Sequence, residues 1–299
     1  MKKLSIFISL LAVALSVNAQ SNFLLYSFKG NVLVVENGTE SKAKVGKMLN
    51  SNATVKVAAG GAATLICNEA AMFTITKAGT YALNKFGDSC KVSSSSVSAN
   101  YVKYVWASMT KDAGSPGSNR KAFMNTVGAV RRSVYPVYID PKLDTVNYTG
   151  GEFPLSWTCY CETKTYNFAL FEKEDLTKPF YTAVISKQKI PITDFSAKLT
   201  PGKSYFWTCS MPETDENEDL KVLNYVSKEA FEEVLNKFKS QGLSFEAPAE
   251  QAYRTGFMLE DAHFLAEAYQ YYSKAVSLDK ENVLYLSTLM SFKKDYEIK

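Results

Sequence analysis

The spacing of apolar residues changes near residue 226, and this change constrains the fold more than any other feature of the chain. Before it, short runs such as Ala53-Thr-Val-Lys-Val alternate apolar with polar residues between glycine and asparagine turns, a period of two that is typical of half-buried strands. After it, apolar residues recur at helical spacing, as at Phe231, Val234, Leu235 and Phe238. The sequence therefore predicts a multidomain protein, mainly β, with a C-terminal α-helical region.

Residues 1–19 have the three parts of a secretory signal peptide. Lys2 and Lys3 form a positive start, Leu4 to Val17 is apolar apart from serines, and small residues precede a cleavage point after Ala19. The apolar run is shorter than the ~20 residues that span a bilayer. We therefore expect an exported bacterial protein of the periplasm or cell surface, with no transmembrane segment in the mature chain.

Residues 20–92 contain short strand-like runs with glycine and asparagine between them, which favours a small β-roll or barrel. The most regular are Lys29-Gly30-Asn31-Val32 through Asn37-Gly38, Val45-Gly46-Lys47-Met48-Leu49, Ala53-Thr-Val-Lys-Val and Ala62-Ala-Thr-Leu. This segment resembles the FecR-type extracytoplasmic β-domain. The resemblance implies a folded module of sensing and envelope proteins and brings no catalytic residues. Residues 93–133 are predicted to be a helix and a flexible linker, the latter at Asp112-Ala-Gly-Ser-Pro-Gly-Ser-Asn119.

Residues 134–226 contain about seven short alternating strands, which fits an antiparallel sandwich. Within them, Leu199-x-Pro201-Gly202-x-x-Tyr205 resembles the tyrosine-corner segment of fibronectin type III domains, and Trp157 stands where that family places a core tryptophan. The resemblance implies an immunoglobulin- or fibronectin-like sandwich in which the Tyr205 hydroxyl bonds a nearby backbone group. Such modules act mostly as spacers or binding units.

Residues 227–299 are predicted to be helical. Ser227 is the expected cap of a helix from Lys228 to Gln241, which Gly242 ends. Further on, small and aromatic residues resemble one tetratricopeptide repeat, a helical hairpin: Gly256, Ala268, Tyr272 and Ala275, followed by Leu278-Asp-Lys-Glu-Asn282. The resemblance implies two closely packed antiparallel helices. Fewer than three repeats cannot bury a core alone, so we expect this unit to dock on the sandwich or on another protein.

Five cysteines are possible disulfide partners in an exported chain: Cys67, Cys90, Cys159, Cys161 and Cys209. Cys67 and Cys90 fall in one predicted β-domain, so we expect these two to pair. A bridge from Cys159 or Cys161 to Cys209 is the solution expected of an immunoglobulin-like sandwich. The cysteine left over would be buried, reduced or intermolecular. The Cys-x-Cys spacing disfavours a metal site.

Composition and motifs argue against catalysis. The chain has one histidine, His263, with no nucleophile motif beside it, so we expect it to be a polar residue on a helix face. The acidic pairs are expected on solvated faces: Glu218-Asp219, Glu232-Glu233 and Glu260-Asp261. The net charge of +4 is too small for a nucleic-acid footprint. No catalytic residue, cofactor or metal site is predicted.

These observations predict a non-catalytic binding or scaffold protein of the bacterial envelope that acts through contacts with another envelope protein, for example in a sensing or regulatory assembly. The alternative is a surface carbohydrate- or peptide-binding module. Aromatic residues could form stacking platforms for sugars, although we favour a core position for them: Tyr101, Tyr104, Trp106, Tyr269, Tyr271 and Tyr272.

Overall fold

The computed structural model describes residues 22–90, 99–110, 136–159, 165–172, 178–212, 220–242 and 246–298. The chain divides into two compact units, residues 1–95 and 96–299. The predicted signal peptide and the linker 112–119 lie outside the described residues. The fold is mainly β with helices toward the C-terminus, which confirms the coarse prediction of fold class.

The first unit consists of two antiparallel four-stranded sheets, ordered β4-β1-β6-β7 and β3-β2-β5-β8. Its strands are β1 (Asn22–Lys29), β2 (Val32–Glu36), β3 (Thr39–Lys42), β4 (Met48–Asn50), β5 (Thr54–Val57), β6 (Ala62–Cys67), β7 (Ala71–Ile75) and β8 (Gly79–Ala82). Each sheet is open, so neither forms the closed barrel that was one of the two expectations for this segment.

Alternating residues of both sheets form one core, which is why the period-two pattern is so regular here. Leu25 and Leu65 of the first sheet pack in the same buried cluster as Val34 and Val55 of the second. A disulfide bond joins Cys67 at the end of β6 to Cys90, and both residues border this cluster. The pairing expected for these two cysteines is therefore the one observed.

The second unit contains a five-stranded sheet, ordered β10-β17-β16-β13-β14, and two short antiparallel pairs, β11-β15 and β9-β12. Its strands are β9 (Val137–Tyr138), β10 (Thr145–Tyr148), β11 (Pro154–Ser156), β12 (Thr158–Cys159), β13 (Tyr166–Phe171), β14 (Tyr181–Ile185), β15 (Lys189–Pro191), β16 (Lys203–Ser210) and β17 (Lys221–Tyr225). β10 runs parallel to β17, and the other pairings in this sheet are antiparallel.

Aromatic rings connect the short pairs to the five-stranded sheet. Trp157, between β11 and β12, stacks on Phe168 of β13 with ring centroids 6.3 Å apart, and Phe168 lies 5.9 Å from Trp207 of β16. At the turn before β16, the Tyr205 hydroxyl accepts a hydrogen bond from the Thr200 N–H at 2.7 Å. This bond is the one expected for a tyrosine corner, and it fixes the turn that leads into β16.

The same core explains why one expected disulfide is wrong. Cys209 is a buried thiol outside any disulfide, whereas Cys159 is disulfide-bonded and Cys161 lies outside the described residues. Phe168 is the cross-strand neighbour of Cys209, and its ring stacks on Trp157 from the other side of the core. Aromatic rings, rather than a disulfide bond to Cys209, therefore connect the short strand pairs to the five-stranded sheet.

Five α-helices occur in the described part of the chain: α1 (Ala99–Met109), α2 (Lys228–Ser240), α3 (Pro248–Asp261), α4 (Leu265–Leu278) and α5 (Val283–Asp295). The Ser227 hydroxyl accepts from the Ala230 N–H, so the predicted cap of α2 is present. α3 and α4 pack closely because Gly256 has no side chain: a Cβ there would lie 2.9 Å from Cδ1 of Tyr272. This is the close approach implied by the small residues of the predicted hairpin.

The helices dock on the β-sheets through the turn between α3 and α4. The Asn147 N–H of β10 donates to the His263 carbonyl at 2.9 Å, and the Asn147 side chain donates to the Ala262 carbonyl at 2.8 Å. His263 stands in this turn with a left-handed φ of 62°, so the expectation that it lies on a helix face was wrong. The docking of the helical unit on the sheets is as expected.

Candidate binding surfaces

Helix α1 packs against α3 through an aromatic face. Its residues Tyr101, Val102, Tyr104, Val105 and Trp106 are buried. The Tyr104 ring stacks on Phe257 of α3 at 5.1 Å, and Tyr101 meets the same ring edge-on at 5.4 Å. An amphipathic helix with aromatic residues at helical spacing is therefore a shape that this bundle accommodates.

Three buried hydroxyl groups tie α1 to α3 and α5. Tyr104 and Thr288 hydrogen-bond at 2.7 Å, Tyr253 and Thr288 at 2.9 Å, and the Tyr253 hydroxyl donates to that of Tyr104 at 3.2 Å. Burial raises the pKa of Tyr253 well above its ordinary value, so this phenol stays protonated as the network needs. The expected core position is confirmed for Tyr101, Tyr104, Trp106 and Tyr272, which are buried and cannot stack on a sugar from solvent.

Helix α5 presents an exposed apolar stripe, made of Val283, Leu286 and Met290. These residues stand at i, i+3 and i+7, and so occupy one face of the helix. Val283 is 75% exposed and Met290 63%, and Leu278 at the end of α4 is also exposed. The opposite face of α5 is buried, with Phe292 packed against Tyr269 and Tyr272 of α4. The stripe cannot be recognised from the sequence alone, because its spacing is equally typical of a core face.

A buried ion pair links Arg254 of α3 to Glu246, which lies between α2 and α3. Arg254 donates from Nε and Nη2 to the Glu246 carboxylate at 2.7 and 2.9 Å, and from Nη1 to the Phe238 carbonyl at 2.8 Å. The Arg254 side chain is 0% exposed and that of Glu246 4%. A Cβ at Gly242 would overlap the guanidinium group, so the glycine after α2 is required for space.

The acidic pairs expected on solvated faces divide into exposed and buried groups. Glu232 and Glu233 lie on the exposed face expected for them. Glu260 contradicts that expectation, because it is buried and accepts hydrogen bonds from the hydroxyls of Tyr272 at 2.8 Å and Tyr296 at 3.3 Å. Glu218 and Asp219 lie outside the described residues.

Glu267 and His263 are titratable groups at the joint between β10 and the helices. Glu267 of α4 is buried and accepts a hydrogen bond from the Thr149 hydroxyl. Burial raises the pKa of Glu267, against the opposing effect of that hydrogen bond, and burial lowers the pKa of His263. Both shifts favour the neutral form of the group. The positions of these residues are explained by the packing of the joint.

A trough crosses the face of the five-stranded sheet at β16, β13 and β14. It has a volume of about 530 Å³. Two cross-strand rows form its floor: Thr208, Ala169 and Thr182, and beside them Ser210, Asn167 and Val184. Ala169, a small residue, lies between two threonines in the first row. No sequence signal distinguishes this row from any other alternating strand face.

Neither a metal centre nor a membrane span was found in the described part of the chain. No cluster of three or more His, Cys, Asp or Glu residues there has the geometry to hold a metal ion. Among the same residues, no helix is both long and apolar enough to cross a bilayer. Comparison with protein-family models and with curated proteins found no match to the chain.

Proposed function

We propose that this chain is an exported, non-catalytic binding or scaffold protein of the bacterial cell envelope, and that it acts through contacts with another protein in a sensing or regulatory assembly. The observation that carries the proposal is the exposed apolar stripe of α5. A soluble protein seldom exposes large apolar residues side by side on one helix face unless a partner covers them. The disulfide bonds at Cys67 and Cys159 are consistent with an oxidising compartment.

The stripe suits an amphipathic helix of the partner. The exposed fractions of its three side chains and of Leu278 together amount to little more than two whole side chains. Burying them would contribute roughly 4–7 kcal/mol, at about 1.5–3 kcal/mol for each fully buried side chain. This gain is comparable with the cost of association, so the rim must contribute as well. Lys293 and Lys294 lie in the last turn of α5. We therefore expect a partner helix that carries acidic residues beside its apolar face.

Site-specific photo-crosslinking in the bacterium that makes the protein tests this function. A benzophenone side chain replaces Met290 in one strain and Glu233, on the exposed face of α2, in a second strain. The proposal predicts a discrete adduct with one envelope protein from position 290 only. It also predicts that Leu286→Asp in the same chain abolishes that adduct. Equal adducts from both positions, or none from position 290, would contradict the proposal.

The carbohydrate-binding alternative rests on exposed aromatic platforms. Four of the six aromatic residues considered for that role are buried. In Tyr271, the ring centroid lies 5.9 Å from Nζ of Lys274. The protein-binding proposal is therefore the better supported of the two.

A further inference from the structure

The two edges of the five-stranded sheet differ in how they are protected. The β10 edge is covered by the turn between α3 and α4, whose His263 carbonyl accepts the outward Asn147 N–H. At the other edge, β14 pairs with β13 in a continuous register of five residue pairs. In the part of the chain that the structure describes, no strand pairs with the outer side of β14. An edge strand of this kind leaves N–H and C=O groups on its outer side without a ladder partner.

The sequence of β14 lacks the devices that usually prevent pairing at an edge. Tyr181–Ile185 contains no charged residue and no proline, and no bulge interrupts its register. Val184 is 73% exposed at the margin of the trough. Natural sheets usually protect such edges with lysines, prolines, bulges or covering segments. An unprotected edge beside a concave face is suited to adding a strand.

We propose that β14 accepts an extended peptide segment of a partner protein, which adds to the five-stranded sheet as a sixth strand. Backbone hydrogen bonds to β14 would hold the segment, and its alternate side chains would lie beside Thr182 and Val184 at the edge of the trough. This site is separate from the α5 stripe, although it serves the same general protein-binding function.

Charge indicates the chemistry of the segment. Lys178 precedes β14 and Lys187 follows it, and both side chains are exposed. A segment with an acidic residue at each end would place a carboxylate near each lysine. A second copy of this chain is disfavoured by the same charges. Two-fold antiparallel pairing centred on Ala183 would place Lys178 of one copy opposite Gln188 of the other, one position from its Lys187. Two exposed lysines would then lie close together at each end of the strand pair and repel each other.

Three fluorescent peptides test the proposal on the full-length mature protein. The first is Glu-Glu-Val-Thr-Val-Thr-Val-Glu-Glu, the second has lysine in place of every glutamate, and the third is the acidic peptide with proline at its central valine. Because recognition of this kind depends mainly on the backbone, the acidic peptide should bind although its side chains are not optimised. We expect saturable binding by anisotropy and slower amide hydrogen exchange at residues 181–185. The proline peptide cannot complete the ladder and should not bind.

Charge reversal supplies the matched variants. In Lys178→Glu/Lys187→Glu, the acidic peptide should bind about tenfold more weakly and the basic peptide more tightly, as expected for two exposed ion pairs. The control variant Lys237→Glu/Lys239→Glu, on the exposed face of α2, should bind both peptides as the wild type does. Leu286→Asp should also leave peptide binding unchanged, which separates this site from the α5 stripe.

Three results would overturn the proposal. The first is no binding of the acidic peptide at millimolar concentration. The second is binding without slower exchange at residues 181–185, since a peptide adsorbed through its side chains would not protect the β14 amides. The third is a dimer of the unliganded protein in sedimentation that Val184→Lys dissociates, which would make a second copy the occupant of this edge.

Discussion

The buried ion pair between Arg254 and Glu246 leads to a quantitative prediction for Glu246→Gln. Glutamine keeps the shape of the side chain but removes its charge, and it turns one acceptor oxygen into a donor that faces the guanidinium group. Arg254 is fully enclosed, so water cannot replace the lost carboxylate. Removing one partner of a buried pair costs about 3–5 kcal/mol. That is a large fraction of the roughly 5–15 kcal/mol that stabilises a typical domain.

Urea unfolding followed by tryptophan fluorescence measures this cost. The three tryptophans are Trp106, Trp157 and Trp207, and all lie in the second unit, as the ion pair does. The control is Glu233→Gln on the exposed face of α2, which should change the free energy of unfolding by less than about 0.5 kcal/mol. A loss below about 1 kcal/mol for Glu246→Gln, the value of a surface ion pair, would refute the reasoning.

The double variant Arg254→Met/Glu246→Leu distinguishes the cost of losing the ion pair from the cost of leaving one buried charge without its partner. It removes both charges and fills the site with apolar groups of similar size, so it should be much more stable than Glu246→Gln. Gly242→Ala should destabilise the wild type because its Cβ overlaps the guanidinium group. The same change should cost less in the Arg254→Met background. Equal costs in both backgrounds would show that the glycine serves another purpose.

Three further predictions concern the joint, the hydrogen bond between Thr200 and Tyr205, and the disulfide. Burial raises the pKa of Glu267 in the folded state. The contribution of Glu267 to stability therefore declines as the pH rises above the unfolded-state pKa and through the folded-state pKa. We expect Glu267→Gln to raise the urea midpoint more at about pH 7 than at about pH 4. Tyr205→Phe leaves the Thr200 N–H without its acceptor and should lower the free energy of unfolding by about 1–3 kcal/mol, measured by the same fluorescence assay. Cys67→Ala/Cys90→Ala should destabilise the first unit by about 3 kcal/mol in far-ultraviolet circular dichroism, while the tryptophan signal of the second unit stays unchanged.

Local sequence signals predicted several elements of this fold well. The cap at Ser227 and the spacing of apolar residues after it located α2 to within one residue of its end. Gly256 and Tyr272 are sixteen positions apart in sequence, yet their sizes correctly indicated two closely packed helices. The pairing of Cys67 with Cys90 followed from their position in one β-domain. In each case, the signal lies within a short segment or one supersecondary unit.

The features that sequence did not predict depend on long-range contacts. Glu260 resembles any solvated acid of a helix until the hydroxyls of Tyr272 and Tyr296 are placed around it. His263 leaves the helix because the turn must present its carbonyl to β10. Cys209 is a buried thiol whose cross-strand neighbour is Phe168, a placement that only the assembled core shows. The two proposed binding surfaces could not be predicted from the sequence for the same reason, because the exposure of Met290 and of Val184 depends on the assembled fold.

Hydrogen exchange on the complex with the partner captured at position 290 tests the central claim most directly. A partner helix on the α5 stripe should slow amide exchange across residues 283–295 and leave α2 unchanged. Leu286→Asp should abolish both the complex and the protection. Protection of α2 instead, or a complex that persists in Leu286→Asp, would contradict the proposal that the α5 stripe is the docking surface.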